Sequence, residues 1–160
     1  MKKAKMALIF GGIVFLGIAA MWKFIEKTGR VIESKNKLID KYKLYYHLNN
    51  KWISLKESDR RLGRYFTDNK ISSIAVYGMG DIGLNLCDEL IKDGIAVKYA
   101  LDRDLARYDS AIPIKKMEDA LETVDAVVIT VPDEFEAIRK SLEGKFSCPI
   151  ISIDEIIYSV

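Results

Sequence analysis

Ile74-Ala75-Val76-Tyr77-Gly78-Met79-Gly80-Asp81-Ile82-Gly83 is the stretch on which the fold turns. Upstream of the glycines, Ile71, Ile74, Ala75, Val76 and Tyr77 are apolar and largely β-forming, so residues 71–77 read as a strand. Downstream, Ile82, Leu86 and Leu90 recur at helical spacing, with Gly83, Cys87 and Ile91 beside them. That helix runs to about Lys92, where Asp93-Gly94 stops it. A second strand follows from Val97 to Leu101 and ends at Asp102.

Strand, glycine turn, helix, strand, and then an acidic residue about 20 positions after the last glycine, is the context that gives a GxGxxG pattern its meaning as a dinucleotide fingerprint. Each glycine has a distinct physical task. Gly78 permits the tight turn, Gly80 removes a side chain where a phosphate would approach, and Gly83 lets the helix pack close to the strand. Met79, Asp81 and Ile82 complete the turn, and the helix N-terminus offers N–H groups to an anion. Asp102 is placed to accept hydrogen bonds from a ribose diol, and Arg103 beside it suits a phosphate or solvent equally. Asp81 works the other way, because its carboxylate competes with a pyrophosphate for the same N–H groups. Two readings stay open. In one the turn binds NAD or NADP, with CoA or a sugar nucleotide as alternatives; in the other the glycines serve packing and nothing binds.

The remaining chain completes an α/β fold, a Rossmann-like doubly wound parallel sheet of about five strands. Ile112-Pro113-Ile114 reads as a short edge strand, where proline is tolerated, followed by a helix around Met117 to Leu121. Ala126 to Val131 is apolar apart from Thr130, as expected of a central parallel strand buried on both faces. Pro132-Asp133 opens a helix with Phe135, Ile138 and Leu142 on one face. Pro149 to Ile153 is the last strand, and Asp154 caps a terminal turn containing Ile156, Ile157 and Tyr158. Right-handed crossovers order the strands as edge, second, first, third, fourth.

The sheet domain occupies residues 70–160, behind an N-terminal segment (1–25) and a helical connector (26–69). Lys2, Lys3 and Lys5 precede an unbroken apolar run from Met6 to Trp22. As a helix at about 1.5 Å per residue, that run approaches the lower limit for crossing a bilayer. Residues 6–22 are expected to be an uncleaved single-pass membrane anchor with a cytoplasmic body. The rival is a cleaved signal peptide with export, for which Ile18-Ala19-Ala20 offers a weak processing site. In the connector, Val31, Leu38, Tyr45 and Trp52 recur at heptad spacing, with Tyr42, Leu48 and Leu55 on the same side. One amphipathic helix or two, broken at Asn49-Asn50, would fit, with a further short helix around Asp59 to Thr67. The 31–55 face packs on the sheet domain, self-associates, or docks a protein partner. The net charge of +2, without a dense basic block, gives no basis for a nucleic-acid partner. Cys87 and Cys148 belong to no CxxC pair and His47 has no companion ligands, so no metal site is expected.

The segments Ile74 to Gly83, Leu101-Asp102-Arg103-Asp104, Ala111-Ile112-Pro113-Ile114 and Val127-Val128-Ile129-Thr130-Val131-Pro132 together resemble a known module. It is the small NAD- or CoA-binding-like Rossmann domain of bacterial polysaccharide-biosynthesis proteins. That domain precedes the catalytic part of membrane-anchored sugar-nucleotide dehydratases. The resemblance covers roughly residues 71–154. It implies a nucleotide- or sugar-nucleotide-associated module and carries over no catalytic activity, since those enzymes place their catalytic domain after the point where this chain ends.

Chemistry of its own is not expected from the chain. No tyrosine has a lysine four positions on, as short-chain dehydrogenase chemistry requires, and GxSxG, HExxH and P-loop motifs are absent. Asp102, Asp104 and Asp109 are explained by a solvated loop. Two function classes lead: a membrane-tethered module that binds a nucleotide, accessory to surface-polysaccharide synthesis, and a protein-interaction scaffold that binds none. An NAD(P)-dependent oxidoreductase ranks third.

Overall fold

The computed structural model describes residues 2–102 and 112–160, and among these the side chains of 2–16 and 18–20 lie outside the description. The chain divides into two units, the first ending at Tyr45 and the second running from Tyr46 to Val160. The first is helical throughout its described part.

Helix α1 spans Lys2–Glu57 without interruption, so Asn49-Asn50 does not break it. Asparagine lowers helix propensity only slightly, and a turn needs more than propensity to displace a continuous ladder. Among the described residues no helix is long and apolar enough to cross a membrane, and most of the expected anchor, 6–22, lies outside the residues whose side chains are described. Within the first unit Val31, Leu38 and Tyr42 are exposed. Leu48, Trp52 and Leu55 of the second unit are buried.

A short helix, α2, covers Gly63–Asp68, starting four residues later than Asp59. The sheet consists of β1 (Ser73–Tyr77), β2 (Ala96–Leu101), β3 (Ile114–Lys115), β4 (Ala126–Ile129) and β5 (Ile150–Ser152). All neighbours are parallel and the order is β3-β2-β1-β4-β5, the doubly wound order expected from the sequence. Helix α3 (Asp81–Lys92) joins β1 to β2, and α4 (Phe135–Leu142) joins β4 to β5 behind a 3-10 turn at Pro132–Glu134. Helix α5 (Ile153–Ser159) follows β5 directly, with Ser152 at its N-cap position and the Ser152 hydroxyl bonded to Asp154.

Strand periodicity explains the layers. Ala75, Tyr99, Leu101, Val127 and Ile129 cluster with Ile138 and Leu142 of α4. Alternation sends Ile74, Val76, Ala100 and Val128 to the opposite face, where they too are buried. Because both faces are covered, β4 reads as Ala-Val-Val-Ile with no polar residue. Helix α3 ends in a Schellman turn: Ile95 N–H donates to Leu90 O at 2.9 Å and Gly94 N–H to Ile91 O at 3.2 Å, with Gly94 at φ +80°.

The helix expected around Met117 to Leu121 is absent, and the segment forms turns. The Asp119 carboxylate accepts from Lys116 N–H at 2.7 Å and Lys115 Nζ donates to Ala120 O at 3.0 Å. These side-chain bonds take the backbone groups a helix would have paired.

Candidate functional site

The turn after β1 sits where strand order reverses, between β2 and β4, at the carboxyl ends of the strands. Tyr77 is in register with Leu101 on one side and Ile129 on the other, so Gly78, Asp102 and Thr130 emerge together. Open α/β sheets bind ligands at this crevice.

Gly78 adopts φ +94°, a region that disfavours any Cβ, and a Cβ there would lie 2.9 Å from both Thr130 Oγ1 and Val131 Cγ2. Its carbonyl accepts a hydrogen bond from Thr130 Oγ1 at 2.6 Å, and its N–H donates to Leu101 O at 2.9 Å. Thr130 is thus the clamp that holds the turn, a role that sequence reasoning missed. The available signal was a lone hydroxyl at the end of an otherwise apolar strand. Gly83 faces the same clamp from the helix. A Cβ on it would lie 2.1 Å from Gly78 O, so packing alone demands glycine.

Gly80 differs from both. It is the N-cap of α3 with φ −65° and ψ −175°, accessible to any residue, and a Cβ on it would meet nothing within 4 Å. It carries no side chain to bond the first N–H groups of α3, as Ser, Thr or Asp at this position would. Asp81 opens the helix on the exposed side, and no side-chain hydrogen bond caps the helix. Ile82 is buried beneath the turn, as is Met79.

Asp102 arrives at the end of β2, as the spacing predicted, but its Oδ2 accepts a hydrogen bond from Met79 N–H at 2.8 Å. One carboxylate oxygen therefore braces the glycine turn itself. Arg103 lies outside the described residues, as do Asp104 and Asp109. Beside Asp102 a cavity of about 190 Å³ opens between the ends of β1, β2 and β3, with Tyr77, Leu101, Lys115, Lys116, Met117 and Glu118 in its wall. The size suits one nucleoside moiety, being below the usual volume for a whole drug-sized ligand. Lys115 is already engaged, 3.6 Å from the Glu122 carboxylate and 5.1 Å from the centre of the Tyr99 ring. Lys116 is exposed at the rim.

Across the crevice, the ends of β4 and β5 border a hollow lined by Asp133, Glu134, Glu136, Asp154 and Glu155. The hollow over β4 and β5 is therefore acidic, whereas the cavity over β2 and β3 balances Lys115 and Lys116 against Asp102 and Glu118. A polyanion is repelled on the acidic side.

The thiols take no part. Cys87 is buried in α3, and burial, reinforced by the Asp88 carboxylate, pushes its pKa up to about 12. Among the described residues no group of three His, Cys, Asp or Glu side chains is placed to hold a metal ion. No family model, curated protein or solved structure matches the chain.

Proposed function

We propose that the chain is a membrane-anchored, non-catalytic module that binds a nucleotide at the Gly78–Gly83 turn. The observation that carries this reading is Gly80. Packing accounts for Gly78 and Gly83, whereas a side chain at Gly80 would meet no protein atom within 4 Å. The space it leaves lies at the N-terminus of a 12-residue helix, where dipole and N–H groups favour an anion. Lys116 and the cavity beside Asp102 support placing the nucleoside over β2 and β3. NAD or NADP is the cofactor class that the fingerprint favours, with CoA or a sugar nucleotide as alternatives. The apolar run at 6–22 supports an anchor with the body cytoplasmic, and the resemblance noted above supports a role accessory to surface-polysaccharide synthesis.

A second reading has one observation in its favour. Because Asp102 braces Met79 N–H, the acidic residue has a structural use that needs no ribose. In that reading the domain is a scaffold for protein partners.

A thermal-shift screen of the full chain in detergent separates the two. NAD(H), NADP(H), CoA, S-adenosylmethionine and UDP-sugars are the probes. The binding reading expects one of them to raise the melting midpoint with dose, by mass action worth about 2.7 kcal/mol at a hundredfold excess over Kd. No shift with any of them favours the scaffold.

A further inference from the structure

Met117 and Glu118 sit in a turn that takes the place of the expected helix, and the turn is closed from both ends. Lys116 N–H donates to the Asp119 carboxylate at 2.7 Å, and Asp119 N–H returns a bond to Lys116 O at 3.2 Å. The two residues between them are thereby held in the wall of the cavity beside Asp102. Met117 and Tyr77 both pack on the core cluster that contains Leu101, so the apolar part of that wall is an aromatic ring, a thioether and an aliphatic side chain. We infer that this cavity is a subsite for a purine base, with Tyr77, Met117 and Glu118 as the residues that select it. The inference rests on the nucleotide reading above for the phosphate and adds which base the nucleotide carries.

Charge keeps the other parts of a nucleotide out of this cavity. Lys115 and Lys116 are balanced by Asp102 and Glu118, so the wall offers a phosphate no net attraction. The Lys115 ammonium is moreover engaged within the fold, donating to Ala120 O at 3.0 Å and lying 3.6 Å from the Glu122 carboxylate. Asp102 Oδ2 already accepts from Met79 N–H, which leaves a ribose diol less to bond there. A balanced hollow with an apolar wall and both donors and acceptors around it suits a neutral heterocycle. A flat ring gains from the Tyr77 face and from the polarisable Met117 sulfur. The volume of about 190 Å³ admits a base and excludes a whole dinucleotide. Of the bases, the two-ring purines present the larger face for stacking, and stacking strength is what gives such platforms their preferences. Glu118, exposed at the rim, can only accept hydrogen bonds when ionised. It therefore favours a donating edge, the amino group of adenine or the N–H groups of guanine. Uracil offers one ring N–H between two carbonyl oxygens, which the carboxylate repels. An adenine-bearing ligand such as NAD or CoA is thus accepted before a UDP-sugar.

Methyl NMR of the full chain in detergent, with carbon-13 in the methionine methyls, tests this, and Met117→Leu identifies the Met117 signal. Adenosine and uridine, which carry no phosphate, are titrated separately, followed by AMP. Adenosine should move the Met117 methyl upfield and saturably, as the ring current of a stacked base does, and should bind at least tenfold more tightly than uridine. Tyr77→Leu should weaken adenosine at least tenfold and Tyr77→Phe by no more than about threefold, as removing or keeping a stacking partner does. If Tyr77→Leu lowers the melting midpoint, the Met117 shift and the adenosine-to-uridine ratio of the native chain decide alone. A Met117 methyl unmoved by adenosine, or equal binding of uridine, overturns the base subsite. AMP that shifts the amides of residues 80–83 while Met117 stays still overturns it too, with the phosphate site intact. The converse, Met117 moved by adenosine with residues 80–83 silent to AMP, upholds the subsite and removes the turn from phosphate binding.

Discussion

Adding one methyl group to the glycine turn has a different consequence at each position. At Gly80 the backbone conformation suits alanine and the Cβ projects into open space. Gly80→Ala should therefore cost no more than about 1 kcal/mol, the loss expected when alanine replaces glycine at an N-cap, while weakening nucleotide binding at least tenfold. At Gly83 the Cβ would strike the Gly78 carbonyl, so Gly83→Ala should lose roughly 1–3 kcal/mol of stability without any ligand, as overpacking does. Urea denaturation and ligand titration of the two variants separate the roles. Equal destabilisation by both would mean that Gly80 too is a packing residue. The glycines were legible in the sequence because a backbone that must turn and be approached closely excludes other residues. Asp102 was legible only in position. Spacing fixes that it ends β2, but a carboxylate there can face a ribose or the loop N–H, and only the fold reveals the bond to Met79.

Among the elements, the last turns of α1 are held by a residue that sequence patterning passed over. Glu89 of α3 is buried, and its carboxylate accepts from Trp52 Nε1 at 2.9 Å, Leu62 N–H at 2.9 Å and Lys56 Nζ at 3.0 Å. Burial works to raise its pKa, but the hydrogen bonds from Leu62, Lys56 and Trp52 together outweigh it and hold the group below its usual 4.5. A group whose folded pKa is depressed contributes fully above its unfolded value and loses that contribution as pH falls through the folded one. The melting midpoint of the native chain should therefore drop more steeply below pH 4.5 than that of Glu89→Gln. At neutral pH, Glu89→Ala should cost roughly 1–3 kcal/mol for each donor left buried and unpaired. Parallel pH curves for the native chain and Glu89→Gln would remove Glu89 from this role. Helical periodicity identified α3 and the recurrence through Trp52, yet it could not say where α1 changes from exposed to buried. Val31 and Trp52 share one heptad row, but only Trp52 is buried. Periodicity describes a face, and the packing partner is set by tertiary contacts that the pattern does not encode.

At the scale of the molecule, charge and topology together orient the proposed ligand. The sheet order, which follows from handed crossovers and was readable from alternating strand and helix signals, puts the turn at the reversal point. The acidic side of the turn was not readable, because Asp133, Glu134 and Glu136 are distant in sequence from Asp154 and Glu155 and meet only at neighbouring strand ends. At the other end of the sheet, Asp125 accepts hydrogen bonds from the hydroxyls and N–H groups of Ser72 and Ser73, which lower its pKa to about 2. That junction ties β1 to β4 far from the turn and stays ionised at any working pH, so ligand binding should be insensitive to it. The central claim, that a nucleotide phosphate sits on the N-terminus of α3, is tested most directly by amide NMR. The full chain is titrated with whichever probe shifts its melting midpoint, or with NAD if none does. The account predicts saturable shifts of the Gly80, Asp81, Ile82 and Gly83 amides, accompanied by Asp102 and Lys116, with Asp133 to Glu136 unmoved. Saturable shifts confined to the acidic side, or amides at residues 80–83 that do not respond at millimolar nucleotide, would contradict it.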